Sequence, residues 1–369
     1  MRQTPLIRQH RASGAKLVDF AGWEMPIQYS GVVDEYHTVR SHVGLFDVSH
    51  MGRMRIAGTG AVSFLQHVTT NDIGKLAVSH AQYSMVCNEN GGIKDDIFVY
   101  RLAPDEFLLC VNASNRKKIL SWLESQRAQD KTVRLEDRSV ELSQVAVQGP
   151  KSRELLMSLG GTGTERLKLH HTCDATIGGL PCLLARTGYT GELGYEVYID
   201  ADKVGRLWDL LVDKGQDWGL KPAGLGARDL LRLEMGYLLY GNDMGEDTTP
   251  LEANADWTVS FQKGEFIGSQ ALLAQKQAGV VRRFVAFELV EKAVPRHGFR
   301  ILDPMACQSI GDVTSGNLSP LLQKGIGLGY VPVKFAEPGV SILIEIRSKS
   351  VPAHVVKPPF YKKPKAKSL

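Results

Sequence analysis

Two segments of the chain have the pattern of β-hairpins, and they limit the possible folds more than any other feature. In QYSMVCNENGGIKDDIFVYRL, residues 82–102, the run Asn-Glu-Asn-Gly-Gly separates two alternating strands and supplies the positive-φ residues that a tight connection requires. LPCLLARTGYTGELGYEVYID, residues 180–200, repeats that arrangement. Strands joined by hairpins run antiparallel, so the sequence favours an α+β fold over a doubly wound parallel sheet.

Helices are predicted between these strands. GAVSFLQHVTTN has amphipathic spacing, and DEFLLCVNASNRKKILSWLESQ reads as a strand, an Asn/Ser helix cap and a helix. ADKVGRLWDLLVDKGQDWG places four apolar residues on one helical face. After Gln275 the chain changes to short strands with Pro and Gly, which predicts a small all-β C-terminal domain, and YKKPKAKSL is interpreted as a solvated tail.

Composition narrows the class of protein. A net charge of +4 in a balanced mixture of acids and bases gives no argument for nucleic-acid binding. No segment resembles a signal peptide or a membrane span. The five cysteines are dispersed and form no CxxC pair, which argues against a disulfide framework and against a zinc or iron-sulfur site. We therefore expect a cytoplasmic protein without a metal, or a mitochondrial matrix protein if this is a mature organellar form.

Two adjacent aspartates interrupt the apolar strand GGIKDDIFVY, although Asp is depleted from strands. The period of two places Asp95 on the face of Ile97, and Asp96 on the face of Phe98 and Tyr100. One interpretation is that both acids follow the turn and stay in water. The other is a carboxylate in an aromatic pocket that binds an amine and moves its protons.

The helix predicted in AGLGARDLLRLEMGYLLYGNDM carries Arg228, Arg232 and Met235 on one face. A cation near a helix start, such as Arg228, opposes the helix dipole by about 0.3–1 kcal/mol when it is exposed. An anionic partner would offset that cost. The alternative is a surface ion pair with Asp229 or another nearby acid.

Other motifs give weaker signals. In GLFDVSHMG, Asp47, Ser49 and His50 do not form a triad, because no nucleophile-elbow context surrounds the serine, and a turn held by the Asp and Ser side chains is preferred. His170 and His171 would point apart in a strand, so joint metal ligation is not expected.

Nine motifs occur in the order found in the aminomethyltransferase family, the T-protein of the glycine cleavage system, and the chain resembles that family from Thr4 to about Phe360. The motifs are DFAGWEMPIQY, GLFDVSHMG, NENGGIKDDIFVY, VQGP, RTGYTGELGYEVYI, GLGARDLLRLEMGYLLYGNDM, TTPLEANADWTV, FIGSQAL and VTSGNLSP.

The resemblance implies three domains arranged as a cloverleaf, with antiparallel sheets and helices and a C-terminal all-β barrel-like domain. The expected domains are a discontinuous folate-binding α+β domain of residues 1–51 and 141–274, a second α+β domain of residues 52–140, and a β domain of residues 275–369.

The implied reaction is one-carbon transfer from the aminomethyl group of a dihydrolipoyl H-protein to tetrahydrofolate. Its products are 5,10-methylenetetrahydrofolate, ammonia and dihydrolipoyl H-protein. The implied partners are the lipoyl-bearing H-protein and tetrahydrofolate, with no nucleic acid and no membrane.

The resemblance also implies roles for individual residues. Glu196 would accept from the amino and N–H groups of a pterin, and Arg228 would bind the anionic benzoyl-glutamate tail. Asp96 matches the catalytic aspartate near the reactive folate nitrogens, where it would manage protons. Met51 and Tyr189 match pocket-lining positions. Tyr83, Tyr100, Val111 and Asn112 also match pocket positions of the family, with core or hairpin packing as the alternative. Arg296 in VPRHGF matches a further pocket arginine from the C-terminal domain.

Within RTGYTGELGYEVYI we expect Gly188, Gly191 and Gly194 to let the hairpin turn tightly, and Glu192 to be a loop residue at its tip. The segment LHHTC before this hairpin departs from the aromatic residues that relatives place there, which leaves that pocket wall undefined.

Two other functions are compatible with parts of the pattern. A folate-dependent demethylase acting on a small amine or sulfonium would need similar pocket acids. A folate-binding accessory protein of iron-sulfur maturation would carry a cysteine motif of the KGCYxGQE type, where this chain has TGYTGELGYE.

Overall fold

The structure is a computed structural model that describes residues 1–362, so the last seven residues of the predicted tail lie outside the described part. Its strands in chain order are β1 (Arg2–Gln3), β2 (Lys16–Phe20), β3 (Trp23–Gln28), β4 (Val43–Asp47), β5 (Gly52–Ala57), β6 (His80–Cys87), β7 (Ile93–Ala103), β8 (Glu106–Val111), β9 (Arg134–Asp137), β10 (Leu142–Gln148), β11 (Thr172–Ile177), β12 (Leu180–Ala185), β13 (Gly194–Asp200), β14 (Leu220–Pro222), β15 (Arg282–Leu289), β16 (Arg300–Leu302), β17 (Ser309–Ser319), β18 (Lys324–Pro332), β19 (Ser341–Ile346) and β20 (Lys349–Val356).

The α-helices lie between these strands, as the sequence predicts. They are α1 (Ile7–Ala12), α2 (Val32–Ser41), α3 (Ala61–Val68), α4 (Arg116–Arg127), α5 (Ser152–Ser158), α6 (Val204–Lys214), α7 (Leu225–Met235) and α8 (Ser269–Ala278). In the described part of the chain no helix is long and apolar enough to cross a membrane.

The first compact unit comprises Met1–Cys87, Lys94–Arg228 and Thr258–Ile267. It contains three sheets, with strand orders β1-β3-β2, β11-β12-β13-β10-β4-β14 and β6-β7-β8-β5-β9. The six-stranded sheet has one apolar core that includes Trp208 of α6, and the five-stranded sheet has another that includes Ile119 and Leu123 of α4. Each core forms because alternate strand residues and one stripe of each helix are apolar.

Both predicted hairpins are confirmed. β6 and β7 are neighbours in the five-stranded sheet, and β12 pairs antiparallel with β13 so that Leu184 faces Val197. The prediction for the glycines of the second hairpin was wrong at two positions. Gly191 turns the chain with φ of +77°. Gly188 and Gly194 instead make room for Gln148, whose side-chain atoms lie 2.1 Å and 2.3 Å from where their Cβ atoms would be.

The second compact unit comprises Asn88–Ile93, Asp229–Trp257 and the chain from Gly268 onward. Its strands close into a barrel in the order β15-β18-β17-β16-β19-β20, which confirms the predicted all-β C-terminal domain and the α+β class of the chain. Within this unit Arg232 of α7 forms a buried ion pair with Asp243 at 2.6 Å.

The three predicted domain boundaries stay a prediction. The six-stranded sheet draws its strands from residues 1–51 and 141–274, and the five-stranded sheet draws its strands from residues 52–140. Both sheets nevertheless belong to one compact unit.

Candidate active site

The two adjacent aspartates of β7 lie on opposite faces of the strand. Asp95 is fully buried on the face of Ile97, whereas Asp96 is half-buried on the face of Phe98. The interpretation that both acids stay in water was therefore wrong for Asp95. A carboxyl group this deeply buried needs hydrogen-bond donors.

Those donors come from the segment that joins β8 to α4. Asn112 donates to Asp95 twice, from its backbone N–H at 3.0 Å and from its side-chain Nδ2 at 2.8 Å. Asn115 Nδ2 donates to Asp95 Oδ1 at 2.6 Å. Asn115 occupies the predicted cap of α4, but within the described residues its side chain makes no capping hydrogen bond. The side chain of Asn115, predicted to cap the helix, therefore donates to the buried acid Asp95 instead.

Asn112 also contacts the second acid. Its Nδ2 lies 2.7 Å from Asp96 Oδ1, so one side-chain amide bridges the two carboxyl groups. Burial and, after it, the charge of Asp96 raise the pKa of Asp95 to about 7, although the asparagine donors oppose these shifts. The pKa of the buried acid Asp95 therefore lies in the range where proton-transfer groups operate.

A row of aromatic side chains runs from Asp96 along the two strands of the first hairpin. The Tyr83 hydroxyl donates to Asp96 Oδ2 at 2.9 Å, and its ring centroid lies 5.6 Å from that of Phe98. Phe98 in turn lies 6.0 Å from Tyr100 in a stacked arrangement. The His170 ring contacts Phe98 at 5.7 Å, so it forms part of the wall that the sequence left undefined.

Glu196 lies at the other end of this row, in β13. It is 8% exposed and accepts hydrogen bonds from Gln144 Nε2 at 3.0 Å, from Tyr100 at 3.4 Å and from the Thr187 hydroxyl. The Tyr198 hydroxyl donates to Tyr100 at 3.0 Å and so supports the same group. These donors hold an anionic carboxylate in a fixed orientation.

Arg228, in the first turn of α7, lies beside Glu196 and Tyr189. Its guanidinium carbon is 4.8 Å from the centroid of the Tyr189 ring, a cation–π distance. Burial lowers the pKa of Arg228, and the charge of Glu196 opposes that shift. The buried Nη1 of Arg228 has no hydrogen-bond partner among the described residues. Asp229 pairs with Arg232 at 2.8 Å, so the alternative of an Arg228–Asp229 pair was wrong.

His50, considered from the sequence only as a member of a triad, is buried near Arg228. It is 3% exposed, its ring packs edge-on against Phe20, and its Nδ1 has no partner in the described part of the chain. Burial, together with the positive charges of Arg228 and Arg53, lowers the pKa of His50 to about 3, although the charge of Asp47 opposes the shift. His50 is therefore a neutral imidazole near Arg228. The preceding turn is held as predicted, because the Ser49 N–H donates to Asp47 Oδ1 at 2.8 Å.

The remaining predicted site residues have different environments. Met51 is half-buried and packs against the apolar cluster that contains Tyr100 and Tyr198. The side chain of Val111 is fully buried in the core of the five-stranded sheet, which agrees with the packing alternative. Arg296 is exposed in the second unit.

Glu192 is more than a loop residue at the hairpin tip. Its side chain is 1% exposed and forms an ion pair with Arg40 of α2 at 3.0 Å. Arg40 also donates to the carbonyl of Thr190 at 2.7 Å. Glu192 is a loop residue as predicted, but its charge lies so far from water that it requires a partner.

The paired histidines do not lie in a strand. His170 has φ of +60° and precedes β11, while His171 forms an isolated bridge with His80, their ring centroids 3.8 Å apart. Across the described residues no group of three or more His, Cys, Asp or Glu side chains is arranged to hold a metal ion.

Comparisons with known proteins match this architecture. Residues 6–263 match the family model described as the GCVT N-terminal domain, and residues 282–362 match the glycine cleavage T-protein C-terminal barrel domain. The fold and the site thus define a glycine cleavage T-protein architecture.

Two relatives similar to this chain in sequence are both named aminomethyltransferase. Aminomethyltransferase of Halothermothrix orenii is 46% identical over 360 residues, covering 98% of this chain and 100% of the relative, and that of Chloroherpeton thalassium is 45% identical over 363 residues, covering 98% and 99%. The crystal structure of glycine cleavage system aminomethyltransferase T from Bartonella henselae has a TM-score of 0.90 at 33% identity and covers 98% of both chains. The chain belongs to the aminomethyltransferase family, and it is an enzyme of that class.

Proposed function

We propose that this enzyme transfers the one-carbon unit of aminomethyl-dihydrolipoyl H-protein to tetrahydrofolate. The products are 5,10-methylenetetrahydrofolate, ammonia and dihydrolipoyl H-protein. One observation carries the proposal: Asp96 and Glu196 lie at the two ends of the aromatic row Tyr83, Phe98 and Tyr100. Beside Glu196 lies Arg228, whose Nη1 has no partner among the described residues.

The residues present fit a reduced folate. The partly buried rings of Tyr83 and Phe98 offer faces and edges for a flat heterocycle, and the fully buried Tyr100 packs against Phe98. Gln144, Thr187 and Tyr100 hold the Glu196 carboxylate in place and leave it acceptor capacity for the amino and N–H groups of a pterin. The unpartnered Nη1 of Arg228 supports a role in binding an oxygen of the benzoyl-glutamate part.

Asp96 is the proposed catalytic residue. Bound tetrahydrofolate supplies the nucleophilic amine that accepts the carbon. Tyr83 and Asn112 each donate to one oxygen of Asp96 and fix its direction. A carboxylate held in this way orients the amine and accepts its proton. Met51, Tyr189 and Asn112 are proposed as further pocket residues. The free state of all five cysteines is consistent with the proposed cytoplasmic compartment.

The decisive experiment mixes the enzyme with aminomethylated lipoyl H-protein and measures ammonia with and without tetrahydrofolate. We expect ammonia release that depends on tetrahydrofolate and is lost in Asp96→Asn. Absence of folate-dependent release from the carrier would refute the proposal. Turnover of a small methylated amine in place of the carrier would support the demethylase alternative.

A further inference from the structure

We propose that Asp95 is a positioning residue for this reaction, which acts through Asn112 to orient the Asp96 carboxylate and to set the charge beside it. The inference rests on the proposed role of Asp96 and adds to it the buried neighbour that the reaction itself does not touch.

Asp95 holds Asn112 in place through two hydrogen bonds. Asp95 Oδ2 accepts from the backbone N–H of Asn112 at 3.0 Å, and Oδ1 accepts from its Nδ2 at 2.8 Å. Two contacts to one residue fix both its backbone position and its side-chain rotamer. Since Asn115 also donates to Oδ1, Asp95 is itself held from the start of α4.

The remaining amide hydrogen of Asn112 is directed toward Asp96. A side-chain amide has two N–H groups, and with one committed to Asp95 the other lies toward Asp96 Oδ1 at 2.7 Å. The Tyr83 hydroxyl occupies the other oxygen of Asp96 at 2.9 Å. Asp96 is thus held at both carboxylate oxygens, and the donor to Oδ1, Asn112, is positioned by Asp95.

The two aspartates also interact through their charge. Two carboxylates that share one amide repel each other when both are ionised, most strongly where water is excluded. Asp95 is fully buried and Asp96 is half-buried, so Asp95 keeps its proton to a higher pH than an ordinary carboxyl group. When Asp95 ionises, it adds negative potential at Asp96 and makes proton uptake there more favourable.

Few other charged groups lie close enough to Asp95 to change the electrostatic potential at this pair of carboxyl groups. On β7 the charge that raises the pKa of Asp95 is that of Asp96, and on β6 the titratable neighbour is Tyr83, which stays uncharged because burial and the two aspartates raise its pKa. The β8–α4 side contributes the uncharged amides of Asn112 and Asn115. Arg116, the next residue along the chain, is paired with Asp137 at 2.7 Å.

A titration without substrate tests the coupling separately from the proposed function. Aspartate side chains labelled with carbon-13 are followed by NMR from pH 3 to 9, and Asp95→Asn assigns the Asp95 signal. We expect Asp95 to titrate near pH 7, and its midpoint to fall by about one unit or more in Asp96→Asn because the repulsion is gone. An Asp95 midpoint below about pH 5 in the native protein would overturn the inference.

Turnover supplies the second readout. The pH profile of kcat should have a step near pH 7 that disappears in Asp95→Asn, with kcat reduced about tenfold or more and the KM for tetrahydrofolate little changed. Asn115→Ala removes a donor from the ionised form of Asp95, so the step should move to higher pH. Asn115→Ala also provides the test if Asp95→Asn does not fold.

The matched control is Ser84→Ala. Ser84 is also fully buried, in the adjacent strand β6, but its hydroxyl accepts from the Asn71 N–H and its bonds avoid both carboxylates. It should leave both the NMR midpoint and the pH profile unchanged. A step near pH 7 that persists in Asp95→Asn at full kcat would refute the positioning role. If the native enzyme shows no turnover at all, the NMR result still decides whether the two carboxyl groups are coupled.

Discussion

The carboxylate of Glu192 accepts a 3.0 Å hydrogen bond from Arg40, and their side chains are only 1% and 8% exposed. This buried ion pair joins the tip of the β12–β13 hairpin to α2, although the two residues are 152 positions apart in the sequence. Because Tyr189 belongs to the same loop, the pair also holds a wall of the candidate site.

Removing one partner of this pair should destabilise the fold. Arg40→Ala leaves the Glu192 charge buried and is expected to lower the free energy of unfolding by about 3 kcal/mol. Urea denaturation measures the change. Lys214→Ala breaks an exposed pair with Asp213 and should have little effect, so equal losses in the two variants would contradict the argument.

Asp96→Asn should separate chemistry from binding. The isosteric amide keeps the contacts with its surroundings but accepts a proton poorly, so we expect kcat to fall by about 100-fold or more with a smaller change in folate affinity. Steady-state kinetics with saturating H-protein measure both quantities. Asp209→Asn, at an exposed position of α6, is the control. Full turnover of Asp96→Asn at saturating substrates would show that the carboxylate handles no proton.

Glu196→Ala should weaken the binding of tetrahydrofolate directly. The variant removes a charged acceptor and leaves Gln144 and Thr187 without their partner, so we expect an affinity lower by about 10- to 100-fold. Calorimetric titration measures it, with the exposed Glu141→Ala as control. An unchanged dissociation constant would remove Glu196 from the pterin site.

Arg228→Gln should discriminate between the two ends of the ligand. If Nη1 binds the benzoyl-glutamate part, the variant loses affinity for tetrahydrofolate but retains affinity for a tetrahydropterin that lacks this part. Arg206→Gln, on the exposed side of α6, is the matched control. Equal losses for both ligands would assign Arg228 to the pterin end instead.

His50 should make the protein sensitive to acid. Its folded pKa of about 3 lies below the ordinary value, so from about pH 6.5 down to about 3 the unfolded chain binds a proton that the folded chain does not. Stability from this residue is therefore complete above pH 6.5 and is lost as the pH falls. His50→Gln should remove about 1.4 kcal/mol per pH unit from the slope between pH 6 and 4 in urea denaturation. The exposed His67→Gln should keep the native slope, and an unchanged slope in His50→Gln would disprove the effect.

Much of the fold follows from local pattern. The hairpins, the amphipathic helices α3 and α6, and the C-terminal barrel are as predicted, because alternation and turn residues act over a few positions. The same period of two predicted that Asp95 and Asp96 lie on opposite faces of β7, with Asp96 on the aromatic face.

The features that the sequence did not predict depend on contacts with distant parts of the chain. The burial of Glu192 needs Arg40, and the need for Gly188 and Gly194 comes from Gln148, which belongs to another strand. Asn115 has the local signature of a helix cap, but the acid opposite it on β7 takes its side chain. Gln144 lies outside every motif, and Thr187 and His50 lie in motifs whose sequence gave no sign of their hydrogen bonding or burial.

The two carboxylates of the site belong to different sheets. Asp96 lies on β7 of the five-stranded sheet and Glu196 on β13 of the six-stranded sheet, and the 3.4 Å contact from Tyr100 to Glu196 joins them. Neither sheet alone contains a complete binding surface. A ligand that contacts both carboxylates therefore raises the free energy needed to separate the sheets, by an amount that grows with the logarithm of its concentration. Hydrogen exchange at the junction of the two sheets should then slow in proportion to ligand occupancy, which makes the pocket a reporter of how firmly the sheets are docked.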